Sequence, residues 1–153
     1  MLRSILMGFV AGQRSMTPLA ALAGSARRGT IASRNAPSRL MAHPLIAAGS
    51  VGMAALEMAG DKMKTAPDRT VFLGLLARTI TSGFTGAALA PPKRQLAGAT
   101  LGITAAIGSS YAGLTARKWA MRRWGQTATG FAEEAIVFIA ANFIANAKPA
   151  SPA

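Results

Sequence analysis

The sequence predicts an all-α protein, a polytopic bundle of four or five transmembrane helices. Three observations carry that expectation. Five apolar stretches, each close to the ~20 residues a helix needs to cross a bilayer core, alternate with short polar or basic segments. Charged residues make up only 14% of the chain, against about 25% in soluble domains. Ala and Gly are abundant while aromatics are 6%, and small residues suit close helix contacts in lipid. Residues 1–148 read as one transmembrane domain and 149–153 as a short tail.

The first span is expected over Ser4–Gly24, with Arg14 near its middle and Pro18 four residues on. A mid-bilayer arginine costs about 2.5–3.5 kcal/mol on insertion scales. Pro18 removes the amide that would bond the Arg14 carbonyl. A charge and a broken backbone bond together belong against other protein or a wet cavity rather than lipid. Arg3, the apolar stretch and Ala21-Leu22-Ala23 also resemble a secretory signal. Arg14 interrupts the apolar region and further spans follow, so an uncleaved segment is expected.

Ser25–Leu40 reads as an irregular basic loop around Gly29, Asn35 and Pro37. The second span is Met41–Ala59, with Pro44 in its first turn, where a missing amide costs little. A polar turn through Asp61, Lys62, Lys64 and Pro67 leads to the third span, Thr70–Ala90, which carries Arg78 near its centre and ends at Pro91-Pro92. The fourth span is Leu96–Ala116. A basic segment with Trp119 and Trp124 follows, a pairing suited to a membrane–water boundary. The fifth is Thr127–Asn146. With five crossings the loops carry eight cations on one side and seven on the other, so the positive-inside rule gives no orientation. Either the chain inserts both ways or one span is misplaced. Arg14-Ser15-Met16-Thr17 and Arg78-Thr79-Ile80-Thr81 share a pattern, which suggests a duplicated two-helix unit.

The formal charge is +12. Its cations cluster between apolar runs instead of along one face, so the expected partner is a bilayer with anionic headgroups, not nucleic acid. There is no cysteine, hence no disulfide framework. His43 is single and lies beside Pro44, so no metal site is expected. Zinc spacings, phosphate loops and nucleophile elbows are absent from the sequence, and no cofactor or enzymatic activity is expected. The acids are too few and dispersed for a metal-dependent lipid-phosphate enzyme.

Two constellations remain. Arg14 with Thr17, and Arg78 with Thr81 and Ser82, would each head a hydroxyl stripe on a helix face. They fit a polar pathway or anion site, since guanidinium forks bind oxyanions. They equally fit structural ion pairs to carboxylates and helix carbonyls. The acids Glu57, Asp61, Glu133 and Glu134 are expected on the side where the first span begins. Glu57 is the best counter-charge because it lies within a span. Asp61 reads as a surface partner of Lys62 or Lys64. One of Glu133 and Glu134 reads as a first-turn acid favoured by the helix dipole, and only one as facing inward. Gly8 and Gly12, with Gly98, Gly102, Ala106 and Ser110, give small-xxx-small spacing toward another span or another subunit. Asn142 and Asn146 are candidates to bond across helices.

The segments Gly12-Gln13-Arg14-Ser15-Met16-Thr17-Pro18, Glu57-Met58-Ala59-Gly60-Asp61-Lys62, Pro67-Asp68-Arg69 and Ala77-Arg78 resemble a family of small bacterial integral membrane proteins catalogued as a domain of unknown function. The resemblance covers roughly residues 5–120; loop 25–40 matches its pattern least. It implies a multi-pass protein of the bacterial inner membrane, singles out Arg14, Glu57, Asp61, Lys62 and Arg78, and implies no activity. The combined expectation is a small transporter or channel for an ion or solute, assembled as a homo-oligomer. Arg14, Thr17, Glu57, Arg78, Thr81 and Ser82 would line its pathway, with Asp61, Lys62, Glu133 and Glu134 secondary. The alternative is a non-transporting scaffold or partner subunit held by internal ion pairs.

Overall fold

The computed structural model describes residues 1–31, 35–60 and 71–147. Among them are seven helices and no strand: α1 (Leu2–Gln13), α2 (Met16–Arg27), α3 (Ala36–Met41), α4 (Pro44–Gly60), α5 (Phe72–Leu89), α6 (Gln95–Trp124) and α7 (Gln126–Asn146). Two of them, α5 and α7, are long and apolar enough to cross a membrane, and α4 is a shorter apolar helix.

The expected first span is two helices. At Arg14 the backbone turns extended (φ −142°, ψ 124°), and α2 starts at Met16. Pro18 explains where the break falls. Inside a continuous helix it would cost about 3 kcal/mol. As the third residue of α2 its missing amide is one of the donors a helix start leaves unbonded anyway.

The two halves fold back on each other. At the start of α1, Arg3 donates to the Ile144 and Ala145 carbonyls, at 3.0 and 2.7 Å. Just past the end of α2, Thr30 Oγ1 donates to Asn146 Oδ1 at 2.7 Å. Both outer ends of the segment therefore meet the C-terminus of α7. Between them Arg14 meets Glu134, twelve residues earlier on α7. That is about 18 Å down the helix, the length of one arm. The α1–α2 unit is a hairpin with its base at the α7 C-terminus and its tip beside Glu134, not a single crossing. Glu57 and Glu134 therefore lie at the tip, away from Arg3, and not at the end where the chain starts.

The base is tied to α5 as well. Ser4 Oγ donates to Gly86 O at 2.9 Å. Asn35 Oδ1 accepts from the Ser38 amide at the start of α3, while its Nδ2 donates to the carbonyls of Ala87 and Ala88 at 2.9 and 3.2 Å. The expected irregular loop thus holds a short helix, signalled by an N-cap Asn followed by Pro37 at its second position. Asn35→Ala should lower unfolding stability by about 1–2 kcal/mol, readable as a shifted melting midpoint.

The small-residue spacing is met within the chain. Gly8 and Gly12 of α1 lie against the α6 backbone at Gly102 and Ala106, and Gly86 of α5 lies against Gly98. A Cβ on Gly102 would stand 2.6 Å from the Ser82 carbonyl oxygen. Gly102→Val is expected to cost about 1–3 kcal/mol by overpacking, seen as a lower midpoint in the purified protein. The basic aromatic segment extends α6 to Trp124, where the Trp119 and Trp124 rings meet edge to face at 5.4 Å. Gly125 then turns the chain with φ +82°.

Beside an apolar core around Met7, Val10, Leu22, Met41 and Val137, the bundle also buries polar side chains and leaves large apolar ones outside. Ser4, Ser82, Thr85 and Ser110 are fully buried, and Arg14 is 1% exposed. Phe72, Leu73, Ile136, Ile139 and Phe143 are each two-thirds or more exposed.

A buried charged centre at the hairpin tip

The break in the α1–α2 segment leaves two helix ends inside the protein. The carbonyl end of α1 carries partial negative charge and the amide end of α2 partial positive charge. Each is met by the opposite charge. Arg78, in α5, donates through Nε to Gly12 O at 3.1 Å and through one amino group to Gly74 O at 2.9 Å. Ser110 Oγ donates to the same Gly12 oxygen at 3.1 Å. At the other end the Glu57 carboxylate, from α4, accepts from Ser15 N, Ser15 Oγ and Met16 N at 2.8, 2.7 and 2.9 Å. Between the two lies Arg14, paired with Glu134 Oε1 at 3.1 Å; both side chains are over nine-tenths buried.

The site sits well inside the bundle. Glu134 is the ninth residue of α7, so the tip lies about 12 Å from one end of that helix and about 18 Å from the other. Gln13 ties the tip to α6 through Ser109 O at 2.8 Å, and Ser109 Oγ reaches back to Phe9 O at 3.0 Å.

Four of the expected pathway residues, Arg14, Thr17, Glu57 and Arg78, converge here. Thr81 and Ser82 are buried on the same face of α5, but their hydroxyls turn to carbonyls of their own helix, Arg78 O and Thr79 O, both at 3.3 Å. Thr17 is 5% exposed, and its hydroxyl has no hydrogen-bond partner. It does not share a helical face with Arg14, because Arg14 is not in a helix. Glu133 and Glu134 lie beyond the first turn of α7, so the dipole does not explain either. Glu134 faces inward, while Glu133 pairs with Arg117 at 3.3 Å nearer the α6–α7 turn. Asp61 and Lys62 lie outside the described residues. The matching Arg14 and Arg78 segments are not structurally equivalent: one is a helix break, the other the interior of α5. Asn146 bonds across helices through Thr30, whereas Asn142 Nδ2 donates to Phe138 O in its own helix. Among the described residues no three His, Cys, Asp or Glu side chains are grouped to hold a metal.

Comparisons with family models, with curated proteins and with solved structures find no match.

Sequence reasoning missed Gly12 and Ser15 as site residues, although both stand in the quoted motif. What they contribute is backbone: a carbonyl at Gly12, an amide at Ser15. The signal was Pro18, which marks a helix start as readily as a kink.

Proposed function

We propose that the chain is a small multi-pass protein of the bacterial inner membrane, related to the family named by its Gly12–Pro18 and Glu57–Lys62 segments, and that it moves a small ion or solute past the hairpin tip. The outward apolar residues of α5 and α7 and the polar interior support a lipid setting. α4 to α7 would cross, and the hairpin would enter from its base and return. Among the described residues, Arg3, Arg27, Arg28, Arg39, Lys93 and Arg94 lie at the base end with no carboxylate. The opposite end has Arg117, Lys118, Arg122 and Arg123, with Arg117 paired to Glu133. Over the whole sequence, moving Arg3 to the side of Arg27–Arg39 leaves eight cations on one side and seven on the other, so the positive-inside rule still gives no orientation.

The observation that carries the transport reading is the broken helix at the tip. In lipid, non-helical backbone at mid-depth is tolerated where it is enclosed by protein or lines a wet cavity. Transporters place substrate sites at such half-helix ends. The scaffold reading has its own support, because the Arg14–Glu134 pair and the Arg78–carbonyl bonds would hold a bundle together without any passage. Flux separates the two. In vesicles loaded with chloride, Na⁺ or K⁺ salts, a transporter gives flux that Arg14→Gln or Arg78→Gln abolishes at retained helicity. A scaffold gives no flux for any panel member, and the same substitutions only lower its melting midpoint.

A further inference from the structure

The fold fixes which connections share an end of the bundle. Glu57 near the end of α4, Arg78 near the start of α5 and Glu134 in the first half of α7 all meet the hairpin tip. Gly86 of α5 and Ile144 of α7 lie toward the base, where Ser4 and Arg3 reach them, and Gly98 of α6 lies against Gly86. The α3–α4 and α5–α6 connections are therefore at the base, with the start of α1 and the end of α7. The α4–α5 and α6–α7 connections are at the tip end.

Cations are evenly divided between these two ends. The base has Arg3, Arg27, Arg28, Arg39, Lys93 and Arg94, and the sequence adds Arg34 and Lys148, eight in all. The tip end has Arg117, Lys118, Arg122 and Arg123, and the α4–α5 connection adds Lys62, Lys64 and Arg69, seven in all. Insertion follows an excess of Lys and Arg on one side, while acids count little. Reading Ser4–Gly24 as a single crossing also gives eight and seven, with Arg3 on the other side. Correcting the first span therefore does not remove the balance. A misread span does not explain it, and of the two explanations the sequence allows, insertion both ways is the one left.

The depth of the charged centre is an independent observation. Glu134 is the ninth of the 21 residues of α7, about 3 Å from the middle of that helix. Turning the bundle over moves the centre by only about 6 Å, close to one helical turn. The buried charges therefore favour neither orientation. Trp119 and Trp124, exposed near the α6–α7 turn, suit the headgroup layer on either face of a bilayer.

We infer that the chain inserts in both orientations in comparable amounts, so that the membrane holds copies with the base inward and copies with the base outward. This rests on the lipid setting of the proposed function and not on transport. For a passage at the tip, it means flux with no built-in direction, driven by the gradient alone.

The test uses the full chain in a bacterial inner membrane. It contains no cysteine, so His43→Cys at the base and Gln126→Cys at the tip end, both exposed, each give one reactive thiol. A membrane-impermeant maleimide on intact cells labels outward-facing thiols, and permeabilised cells give the total. About half of each variant should label from outside. Two charge variants, built at exposed cations, should move the mixture in opposite directions. Arg122→Gln/Arg123→Gln leaves eight cations against five and should lower the outside-to-inside ratio at His43→Cys by about fivefold. Arg27→Gln/Arg39→Gln leaves six against seven and should raise it. Nearly complete labelling at one site with almost none at the other overturns dual insertion and leaves the lipid setting standing. Half-labelling that neither charge variant shifts overturns the charge balance as its cause. A chain that stays in the soluble fraction of lysed cells overturns the lipid setting and this inference with it. Half-labelling at both sites without flux in vesicles supports dual insertion and refutes transport.

Discussion

Glu134→Ala is expected to destabilise the protein by about 3–5 kcal/mol, because it strands the Arg14 guanidinium without the carboxylate it faces at 3.1 Å. Arg14→Met should cost a similar amount for the mirror reason. The double variant Arg14→Met/Glu134→Leu should recover most of the loss, since buried pairs replaced by apolar residues of like volume are often neutral. A double-mutant cycle by thermal or denaturant unfolding measures this, with a coupling well above the ~0.3–0.5 kcal/mol expected of independent sites. The double variant also tests function. A pair whose role is to hold the bundle can be replaced with activity kept; a pair that sets the charge of a passage cannot. Recovered stability without recovered flux is the outcome the transport account predicts.

The second large effect is expected at Glu57. Glu57→Ala removes the acceptor for three donors, two of them backbone amides at a buried helix start. Bonds to a charged acceptor are worth about 1.5–3 kcal/mol each and are not additive within one corner. A loss on the order of 3 kcal/mol is expected, concentrated in α2. Amide exchange should show it locally. Ser15 and Met16 should lose protection and the first turn of α2 should fray, while α5 and α6, which pack together through Gly86 and Gly98, keep theirs. Uniform loss of protection across the bundle would mean that Glu57 supports the fold as a whole and not the α2 start.

Much of this arrangement was legible in the residues and some was not. The helical class, the stop at Pro91-Pro92 and the small-residue contacts of α6 follow from local rules: proline geometry, apolar run length, glycine spacing. Arg14, Glu57 and Arg78 stood out because a charge within an apolar run needs a partner. The hairpin did not follow, because run length alone cannot tell a 21-residue crossing from two short helices folded back. Hydrophobicity is the same along both paths; what differs is a pair of dihedrals at Arg14 and the bonds at the far ends, Arg3 to α7 and Thr30 to Asn146. That single parity error placed Arg3 at the wrong end of the bundle, away from the α7 C-terminus it meets; the cation count stays balanced either way. The hydroxyls of Thr81 and Ser82 illustrate another limit. Spacing puts them on the right face of α5, but a Ser or Thr within a helix can always bond a carbonyl one turn back, and here both do.

The account depends most on the return of the α1–α2 segment to the side it starts from. The chain contains no cysteine, so spin labels at Leu2→Cys and Thr30→Cys, both exposed positions, report one distance free of background. A continuous helix over those 28 residues would separate them by about 42 Å. Pulsed electron–electron resonance on the reconstituted protein should instead give a distance of half that or less, whichever way the protein is inserted. A distribution centred near 40 Å would mean that the segment crosses once, and the buried tip with its Glu57 corner would not exist.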